Sequence, residues 1–277
     1  MRKITTSYFL VIFLLLCSCT EKEIIIPPFE PIISDRVVLV EEVTGVRCPN
    51  CPSGSAKIAS LIEQFPDQVI AVAIHGSFLT SPYAESKYDF RHEAARELEN
   101  YLKPWEGKPA AFVNRKKFEN EPLRSVPEFD LLATYVAQEL NEPHQLEISM
   151  STDYDESSRT LEVNLGVIPL VDLSGEYRIH VMLTEDHIID RQANVGELIE
   201  AYEHDHVMRM MLTAFDGDPF ESELVANELI NTSYSVTIPA EDGSWVADNM
   251  NVVVFISDRE GGDKIILQTV EEAVVSN

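Results

Sequence analysis

The chain has 277 residues, 45% of them hydrophobic and 25% charged, which is the composition of a folded globular protein rather than a disordered one. Its formal net charge of −26 argues against nucleic acid as a partner, because phosphate binding needs clustered Lys and Arg. The same charge argues against adsorption to an anionic membrane surface. The length is sufficient for two ordinary domains.

The N-terminus has the pattern of a secretion signal. Arg2 and Lys3 form a basic start, and residues 8–16 form an apolar run that is too short to span a bilayer. Residues 1–18 are therefore predicted to be a signal peptide.

A cysteine pair ends this signal. Leu16 followed by Cys17, a serine and Cys19 resembles the lipobox of bacterial lipoproteins, which implies cleavage before Cys19 and lipid on its thiol. Cys17 is the second choice, and an ordinary cleaved signal peptide is the alternative. Residues 19–34 are rich in proline, so they are predicted to be a lipidated tether that holds the protein at the membrane.

A Cys-x-x-Cys pair, Cys48 and Cys51, stands between a predicted strand and a predicted helix. Residues 37–43 are predicted to be a buried strand, a β-branched run with no polar break before Glu41, and residues 52–65 carry apolar side chains at helical spacing. The other two cysteines belong to the signal and the anchor. In an oxidising extracytoplasmic compartment, Cys48 and Cys51 can therefore pair only with each other within the chain.

The next elements complete a first domain. They are predicted to be a strand at 68–75, a helix at 87–102, a hairpin of 110–113 with 117–118, and a helix at 126–141. The order β-α-β-α-β-β-α predicts an α/β domain over residues 35–142, with helices on both faces of a central sheet.

After residue 142 the pattern changes to strict alternation, which is typical of strands. Strands are predicted near 146–150, 161–165, 177–181, 206–215, 229–238, 251–257 and 264–270. Residues 186–206 break the alternation and are expected to form a long loop with a helical turn at 197–202. Residues 143–277 are therefore predicted to be an all-β domain, an antiparallel Ig-like β-sandwich.

The Cys-x-x-Cys pair has the chemistry of thiol–disulfide exchange. The start of a helix stabilises a thiolate, so Cys48 is expected to attack and Cys51 to be the buried resolving thiol, with Arg47 able to assist. One alternative is a passive disulfide. Closing so short a loop contributes at most about 2 kcal/mol, against about 3 kcal/mol for a 15-residue loop, which makes a purely structural role less attractive. The other alternative is a zinc site with His75.

A second candidate site is His204-x-His206. On a strand, residues two apart share a face, so the two imidazoles can converge on a metal, with Asp186, Glu203 and Asp205 nearby. The favoured alternative is structural. In that interpretation the histidines tie the long loop to the sandwich, and Arg209 pairs with an acidic residue at 185 or 186.

Several short motifs carry a family resemblance: Thr44-Gly45 before Cys48-Pro49-Asn50-Cys51-Pro52, Pro109 before Val113-Asn114-Arg115, Thr184-Glu185-Asp186, and His204-Asp205-His206 with Arg209. The mature chain resembles the Omp28-related outer-membrane lipoproteins, which join a thioredoxin-like domain to a C-terminal β-sandwich. The resemblance implies an outer-membrane lipoprotein of the cell envelope, on its periplasmic or outer side. The family brings no established activity.

The thioredoxin comparison implies two further site residues. Pro109 stands where that fold has a cis-proline facing the disulfide, the alternative being a trans proline that ends a loop. Glu42 matches the buried acid that transfers protons to the resolving cysteine, the alternative being a carboxylate that points to solvent. Arg47 and the Pro49-Asn50 pair depart from the usual thioredoxin sequence, which leaves the direction of electron flow open.

Two functions follow from these residues. The first is thiol–disulfide exchange on extracytoplasmic proteins by Cys48, Cys51, Pro109 and Glu42, with no cofactor. The second is a non-catalytic binding protein of the surface or outer membrane that uses the thioredoxin fold as a scaffold. A buried Cys48 sulfur without a groove would favour the second function.

Overall fold

The computed structural model describes residues 35–240 and 245–275. The predicted signal peptide, the lipidation site Cys19 and the tether lie outside the described residues. Along the part of the chain that is described, no helix is both long and apolar enough to cross a membrane.

The first half of the chain alternates strands and helices in the order that the sequence predicts. Its elements are β1 (Val38–Val43), α1 (Cys51–Gln64), β2 (Val69–Ile74), α2 (Glu93–Tyr101), β3 (Ala110–Val113), β4 (Ser125–Val126) and α3 (Leu132–Leu140). An uninterrupted apolar run forms β2, β1 is apolar except for Glu41 and Glu42, and both strands are buried along their whole length.

The second half consists of strands and short turns. Its strands are β5 (Leu146–Asp155), β6 (Thr160–Pro169), β7 (Leu173–Ser174), β8 (Tyr177–Glu185), β9 (Ile188–Asn194), β10 (Glu197–His204), β11 (Val207–Met211), β12 (Asp218–Pro219), β13 (Glu223–Leu224), β14 (Ile230–Thr237), β15 (Met250–Asp258) and β16 (Ile265–Ala273). The described chain is therefore a sheet-rich mixed α and β structure.

Strands from both halves form one mixed sheet with the order β16-β15-β8-β11-β2-β1-β3-β4, and β12 pairs with β8. The two halves meet where β11 lies parallel to β2, with Val207 beside Ala73. The amide of Ala73 donates to the carbonyl of His206 over 2.8 Å. Contacts group Ile32–Asn277 into a single compact unit.

Alternating side chains of the large sheet supply three apolar cores. On one face, β1 and β3 pack against α1 and α3, and β8 and β15 pack against a second sheet of β14, β6 and β5. On the other face, Leu39 and Ile74 join Met182 and Phe255 beneath α2. The period of two in β8 is visible in Val181, which faces the second sheet, and Met182, which faces α2.

A buried ion pair of the first half lies against a strand of the second half. Arg115 donates from Nε and Nη2 to the Glu41 carboxylate over 2.7 and 2.6 Å, and both side chains are buried. The Arg115 guanidinium lies 5.0 Å from the ring centre of Phe255 on β15. The bidentate geometry compensates for removing both charges from water.

Three sequence predictions about local structure are wrong. Residues 197–202 are not a helical turn but most of β10, which pairs antiparallel with β9. The partner of β3 is Ser125–Val126 rather than residues 117–118, because Phe118 stacks on Tyr135 in the core at 4.0 Å. The second helix is shorter than predicted, because the His92 side chain caps it by accepting from the Ala95 amide.

Candidate functional site

Cys48 and Cys51 form a disulfide in the turn that leads from β1 into α1, with their Cα atoms 5.3 Å apart. The Cys48 amide donates to the Gly45 carbonyl, and the Cys51 amide donates to the Cys48 carbonyl. Asn50 occupies the N-cap position without a side-chain capping hydrogen bond, and the helix begins at Cys51. Cys48 therefore lies ahead of the helix rather than in its first turn.

Both cysteines are buried, each with only 1% of its surface exposed. Their cover is the β9–β10 hairpin, which comes from the second half of the chain. Gln192 Nε2 donates to the Cys48 carbonyl over 3.0 Å and lies 3.3 Å from the Gly45 carbonyl. The Ala193 amide donates to the Val46 carbonyl over 2.8 Å. The burial of Cys48 differs from the expectation that Cys51 alone would be buried.

Arg47 does not face the disulfide. Its guanidinium donates to the carbonyls of Ser81 and Pro82 over 2.6 and 2.8 Å, and it lies 4.2 Å from the Tyr83 ring centre. Its role is to hold the loop after β2 against the Cys-x-x-Cys turn, and its charge is committed to that loop.

Glu42 on β1 is buried behind the first turn of α1. Burial raises the pKa of its carboxyl to about 8, and a hydrogen bond with Ser55 opposes this rise. Ser55 Oγ lies 3.0 Å from a Glu42 carboxyl oxygen and 3.2 Å from the Cys51 carbonyl oxygen. A protonated Glu42 carboxyl can donate a hydrogen bond to the Ser55 hydroxyl, which can then donate to the Cys51 carbonyl oxygen. The alternative of a solvent-facing Glu42 is wrong.

Pro109 lies beside the same helix, and the Lys108–Pro109 peptide bond is cis. A Cβ atom added to Gly54 would be 2.9 Å from Pro109 Cγ and 3.1 Å from a Glu42 carboxyl oxygen. Glycine at this position is therefore what allows α1 to approach both predicted site residues. The Lys108 ammonium donates to the Thr44 carbonyl over 2.7 Å and pairs with buried Glu99 at 2.8 Å.

A cavity of about 230 Å³ lies between α1, β2 and the β9–β10 hairpin. Its polar lining includes Glu42, Ser55, Tyr202 and three histidines, and Cys51 lines it while Cys48 does not. Apolar side chains of α1 and β2 complete the wall. The structure thus brings Glu42 and Cys51 to one cavity, whereas Pro109 lies outside its lining.

Two of the three histidines, His75 and His204, are buried, and the third, His206, is partly exposed. Burial is the largest cause that lowers both pKa values, that of His204 to about 4, so both rings are neutral at pH 7. Their ring centres are 6.1 Å apart. Within the described residues, His75 Nδ1 and His204 Nε2 have no hydrogen-bond partner.

His204 and His206 both line the cavity, but only His204 lies in β10. The chain turns after β10, with a φ of 56° at His206, so the strand geometry that the metal interpretation assumed is missing. The His206 imidazole lies 3.2 Å from the Asp186 carboxylate. The Arg209 guanidinium lies 3.0 Å from the Glu185 carboxylate, which is one of the pairings that the structural interpretation expects.

One other group has the spacing of metal ligands. Ligand atoms of His187, Glu203 and Asp205 lie within 4.8 Å of one another, and all three side chains are exposed. The His187 imidazole is already hydrogen-bonded to Glu203 at 2.7 Å. The hydrogen bond with Glu203 raises the His187 pKa, so a metal cation would have to displace a more tightly held proton from the imidazole.

Sequence reasoning missed Gln192, Ser55 and Tyr202 as parts of this site. Gln192 is far from the cysteines in sequence, and its strand was expected to be a loop, so no local signal pointed to it. Ser55 was visible as a polar position in the first turns of the helix, four residues after Cys51.

Two solved structures show the same overall fold at low sequence identity. HBP35 of Porphyromonas gingivalis matches with a TM-score of 0.68 and 13% identity, over 88% of this chain and 77% of that protein. A structural-genomics protein from Agrobacterium tumefaciens matches with a TM-score of 0.54 and 11% identity, over 88% of this chain and 98% of that protein. At these identities the similarity shows the fold alone.

No curated protein matches the chain. Residues 96–277 match the family described as outer membrane protein Omp28. That description agrees with the cell-envelope localisation expected from the sequence. This match spans more than half of the chain, and the chain therefore belongs to the Omp28 outer membrane protein family.

Proposed function

We propose that this outer-membrane-associated protein exchanges disulfides with extracytoplasmic thiols through Cys48 and Cys51. In this proposal residues 35–142 are a thioredoxin-like segment, residues 143–277 are an Ig-like sandwich, and lipid on Cys19 anchors the chain in the membrane. Protein thiols or disulfides of the envelope are the partners expected from the sequence.

The strand order supports the thioredoxin-like description. β2, β1, β3 and β4 are neighbours in that order, with β2 parallel and β3 antiparallel to β1. The Cys-x-x-Cys turn leaves the end of β1 and enters α1, where a strand, a turn and a helix bring a sulfur to the edge of the sheet.

The observation that carries the redox proposal is a buried carboxyl beside the disulfide. Glu42 has a pKa of about 8, which suits a group that gives up and takes back a proton near neutral pH. The Ser55 hydroxyl links the Glu42 carboxyl to the carbonyl of Cys51, which is one of the two residues of the disulfide that would be reduced. A passive disulfide gains nothing from a carboxyl kept neutral at this position.

A second function, a non-catalytic binding protein, is favoured by a different observation. Both cysteines are 1% exposed beneath the β9–β10 hairpin. A folded protein substrate therefore cannot reach their sulfurs unless the hairpin moves. In this alternative the disulfide stabilises the turn, and the sandwich or the cavity carries the binding activity.

The reduction potential of the pair distinguishes these functions. Residues 35–277 are equilibrated with thiol buffers of known potential, and the dithiol fraction is measured by alkylation and mass spectrometry. We expect a potential within the range of thiol–disulfide oxidoreductases, above about −300 mV. A pair that stays oxidised in strong thiol buffer, together with no mixed disulfide on either Cys48→Ser or Cys51→Ser, contradicts the exchange proposal.

The anchor is tested separately. The full-length chain is expressed in a bacterium that acylates lipoproteins, and membrane and soluble fractions are compared with those of Cys19→Ala. We expect wild type in the membrane fraction with a lipid-modified N-terminal peptide, and the variant without that modification. Lipid on a Cys19→Ala chain, or none on wild type, contradicts the anchor.

A further inference from the structure

The cavity offers a route to the disulfide that the hairpin does not close. Cys51 lines the cavity, whereas Cys48 lies under Gln192 and outside it. Ala56 and Ala59 line the cavity from α1 and are exposed to solvent, so they form part of its rim. Cys51 is only 1% exposed, so a molecule in this cavity meets the small part of Cys51 that borders it and no part of Cys48.

The size of the cavity selects small molecules. An apolar cavity of about 150 Å³ holds benzene, so the about 230 Å³ available here accommodates a molecule of that size with a substituent. A peptide loop of a folded protein is larger than this. With the cover in place, the cavity thus excludes protein thiols.

The charges of the cavity select further. Glu203 and Asp205 line it on the hairpin side and are exposed carboxylates, while His75 and His204 are buried and neutral. His206 also lines the cavity, and its imidazole lies 3.2 Å from the Asp186 carboxylate, so an anionic ligand meets repulsion at the rim and no unpaired cation inside. A neutral or cationic ligand meets neither obstacle.

The interior also offers places for a proton. His75 Nδ1 and His204 Nε2 are buried and lack partners among the described residues, so each can accept a hydrogen bond from a bound S–H group. The atoms of Glu42, His75 and His204 do not form a cluster within metal-binding distance, since the described residues yield such a cluster only at His187. An organic ligand fits this arrangement better than a metal ion.

We propose that the exchange partner in the covered state is a small neutral or cationic thiol that enters this cavity and attacks the sulfur of Cys51. This substrate class rests on the exchange function proposed above. It also reverses the order of attack expected from the sequence, in which Cys48 is the exposed sulfur.

The step balances without a further reactant. The thiol reacts as its thiolate RS⁻, whose proton has gone to solvent, and RS⁻ bonds to Cys51 Sγ as the Cys48–Cys51 bond breaks. The electron pair leaves on Cys48 Sγ, which takes up a proton from solvent. A second RSH attacks the sulfur of the bound R group, giving RSSR and the reduced Cys51, so two thiols are oxidised for each disulfide reduced.

The first test compares three small thiols of different charge with one large polymer thiol. The oxidised protein is reduced separately with cysteamine, 2-mercaptoethanol, 3-mercaptopropionate and a thiol-terminated polyethylene glycol. Each reduction rate is divided by the rate of the same thiol with the protein unfolded in urea. We expect cysteamine to exceed 3-mercaptopropionate by about tenfold at low salt, with the ratio shrinking in 1 M salt. We expect the polymer thiol to be slower than 2-mercaptoethanol by about a hundredfold. Equal normalised rates for the polymer and the small thiols overturn the proposal.

The second test blocks the entrance. Ala56→Phe places a ring at the rim, and Ser60→Phe places the same ring on the exposed face of α1 outside the cavity. We expect Ala56→Phe to slow reduction by 2-mercaptoethanol about tenfold and Ser60→Phe to leave it unchanged, with the melting temperature of each variant as a folding check. Equal rates for the two variants contradict entry by this route.

The third test asks which sulfur faces the cavity. Methyl methanethiosulfonate is small and uncharged, and it is added to Cys48→Ser and to Cys51→Ser at neutral pH. We expect the remaining Cys51 thiol of the first variant to be modified at least tenfold faster than the Cys48 thiol of the second. Faster modification of Cys48 overturns the proposed order of attack.

The outcomes separate the two proposals. Equal reduction by small and polymer thiols supports the exchange function but contradicts the proposal that only small thiols enter. Resistance to every thiol in the folded protein, with normal reduction in urea, removes both.

Discussion

Glu42 shows how a strand position can set the protonation state of a carboxyl. It faces the first turns of α1, where burial outweighs the opposing hydrogen bond with Ser55, so the carboxyl holds its proton at neutral pH. Glu41, the preceding residue, faces the opposite side of the sheet and has the Arg115 guanidinium as a bidentate partner. Alternation along β1 thus puts two carboxyls in opposite electrostatic situations.

Replacing Glu42 by Gln should change the pH dependence of stability. Between pH 4.5 and about 8 the unfolded chain ionises Glu42 while the folded chain keeps it protonated, so wild-type stability falls as pH rises through this window. The loss is about 1.4 kcal/mol per unit of pKa difference. Glu42→Gln lacks this titration, and urea unfolding should show it close to wild type near pH 4.5 and clearly more stable at pH 8.

Glu41→Gln is the matched control for that experiment. It leaves the buried Arg115 charge without its carboxylate, and we expect a loss of about 3–5 kcal/mol at every pH tested. A stability gain for Glu42→Gln that does not grow with pH would contradict a raised pKa.

Gly54 is the residue that brings the helix to the site. Gly54→Ala adds a methyl group 2.9 Å from Pro109 Cγ and 3.0 Å from a ring atom of Phe129, so α1 must shift, and we expect a loss of about 1–3 kcal/mol. Gly107→Ala is the control, because nothing lies within 4 Å of its added Cβ. Thermal unfolding of both variants checks this, and equal melting temperatures would mean that α1 has room to spare.

At the scale of elements, the β9–β10 hairpin matters most for access to the disulfide. Among the described strands, β9 and β10 pair only with each other. The hairpin is attached to the Cys-x-x-Cys turn by hydrogen bonds from Gln192 and Ala193. Two-stranded hairpins have little stability of their own, so a few hydrogen bonds decide how often the cover opens.

Gln192→Ala should loosen this cover. It removes the donor to the Cys48 carbonyl, and at about 1 kcal/mol per hydrogen bond the open fraction should rise by about fivefold. Reduction by a thiol-terminated polymer should accelerate by that factor, since it needs the open state. Asn194→Ala on the same strand is the control, because its side chain bonds Glu197 within the hairpin. An unchanged polymer rate in Gln192→Ala would show that this bond does not hold the cover.

The sequence predicted the elements around the cysteines well and the cover poorly. β1, β2 and α1 follow from continuous apolar runs and helical spacing, signals that are local. In β10, by contrast, Leu198, Ile199 and Tyr202 have a spacing that also suits a helix, and only pairing with β9 decides for a strand. Glu42 was found through a resemblance, but its burial under Ser55 needed the fold.

At the scale of the whole molecule, the sheet does not stop where the sequence pattern changes. The edge of β2 that a smaller domain would expose is paired with β11, and the Asn114 carbonyl accepts from the Ile266 amide over 3.0 Å. Arg36 reaches across the same junction and donates to the Leu267 carbonyl over 3.0 Å. Burial of Arg115 thus depends on residues from both halves.

A fragment of residues 35–142 should therefore fold poorly alone. Without the second half it exposes the β2 edge and the apolar face under α2, and it loses the Phe255 ring beside Arg115. We expect circular dichroism and urea unfolding to show no cooperative transition for the fragment, whereas residues 35–277 give one. A cooperative transition of the isolated fragment would contradict this dependence.

The origin of the disulfide cover has a consequence for biosynthesis. Gln192 and Cys48 are 144 positions apart, so the chain delivers both cysteines to the envelope well before the hairpin that hides them. During that interval an oxidising enzyme can reach the pair directly. Once residues 188–204 have been delivered and have folded, the sulfurs are out of its reach. Whether a molecule leaves assembly as a disulfide or a dithiol is thus decided by the relative speed of oxidation and chain delivery, and in the finished fold only a thiol small enough to enter the cavity can change that state.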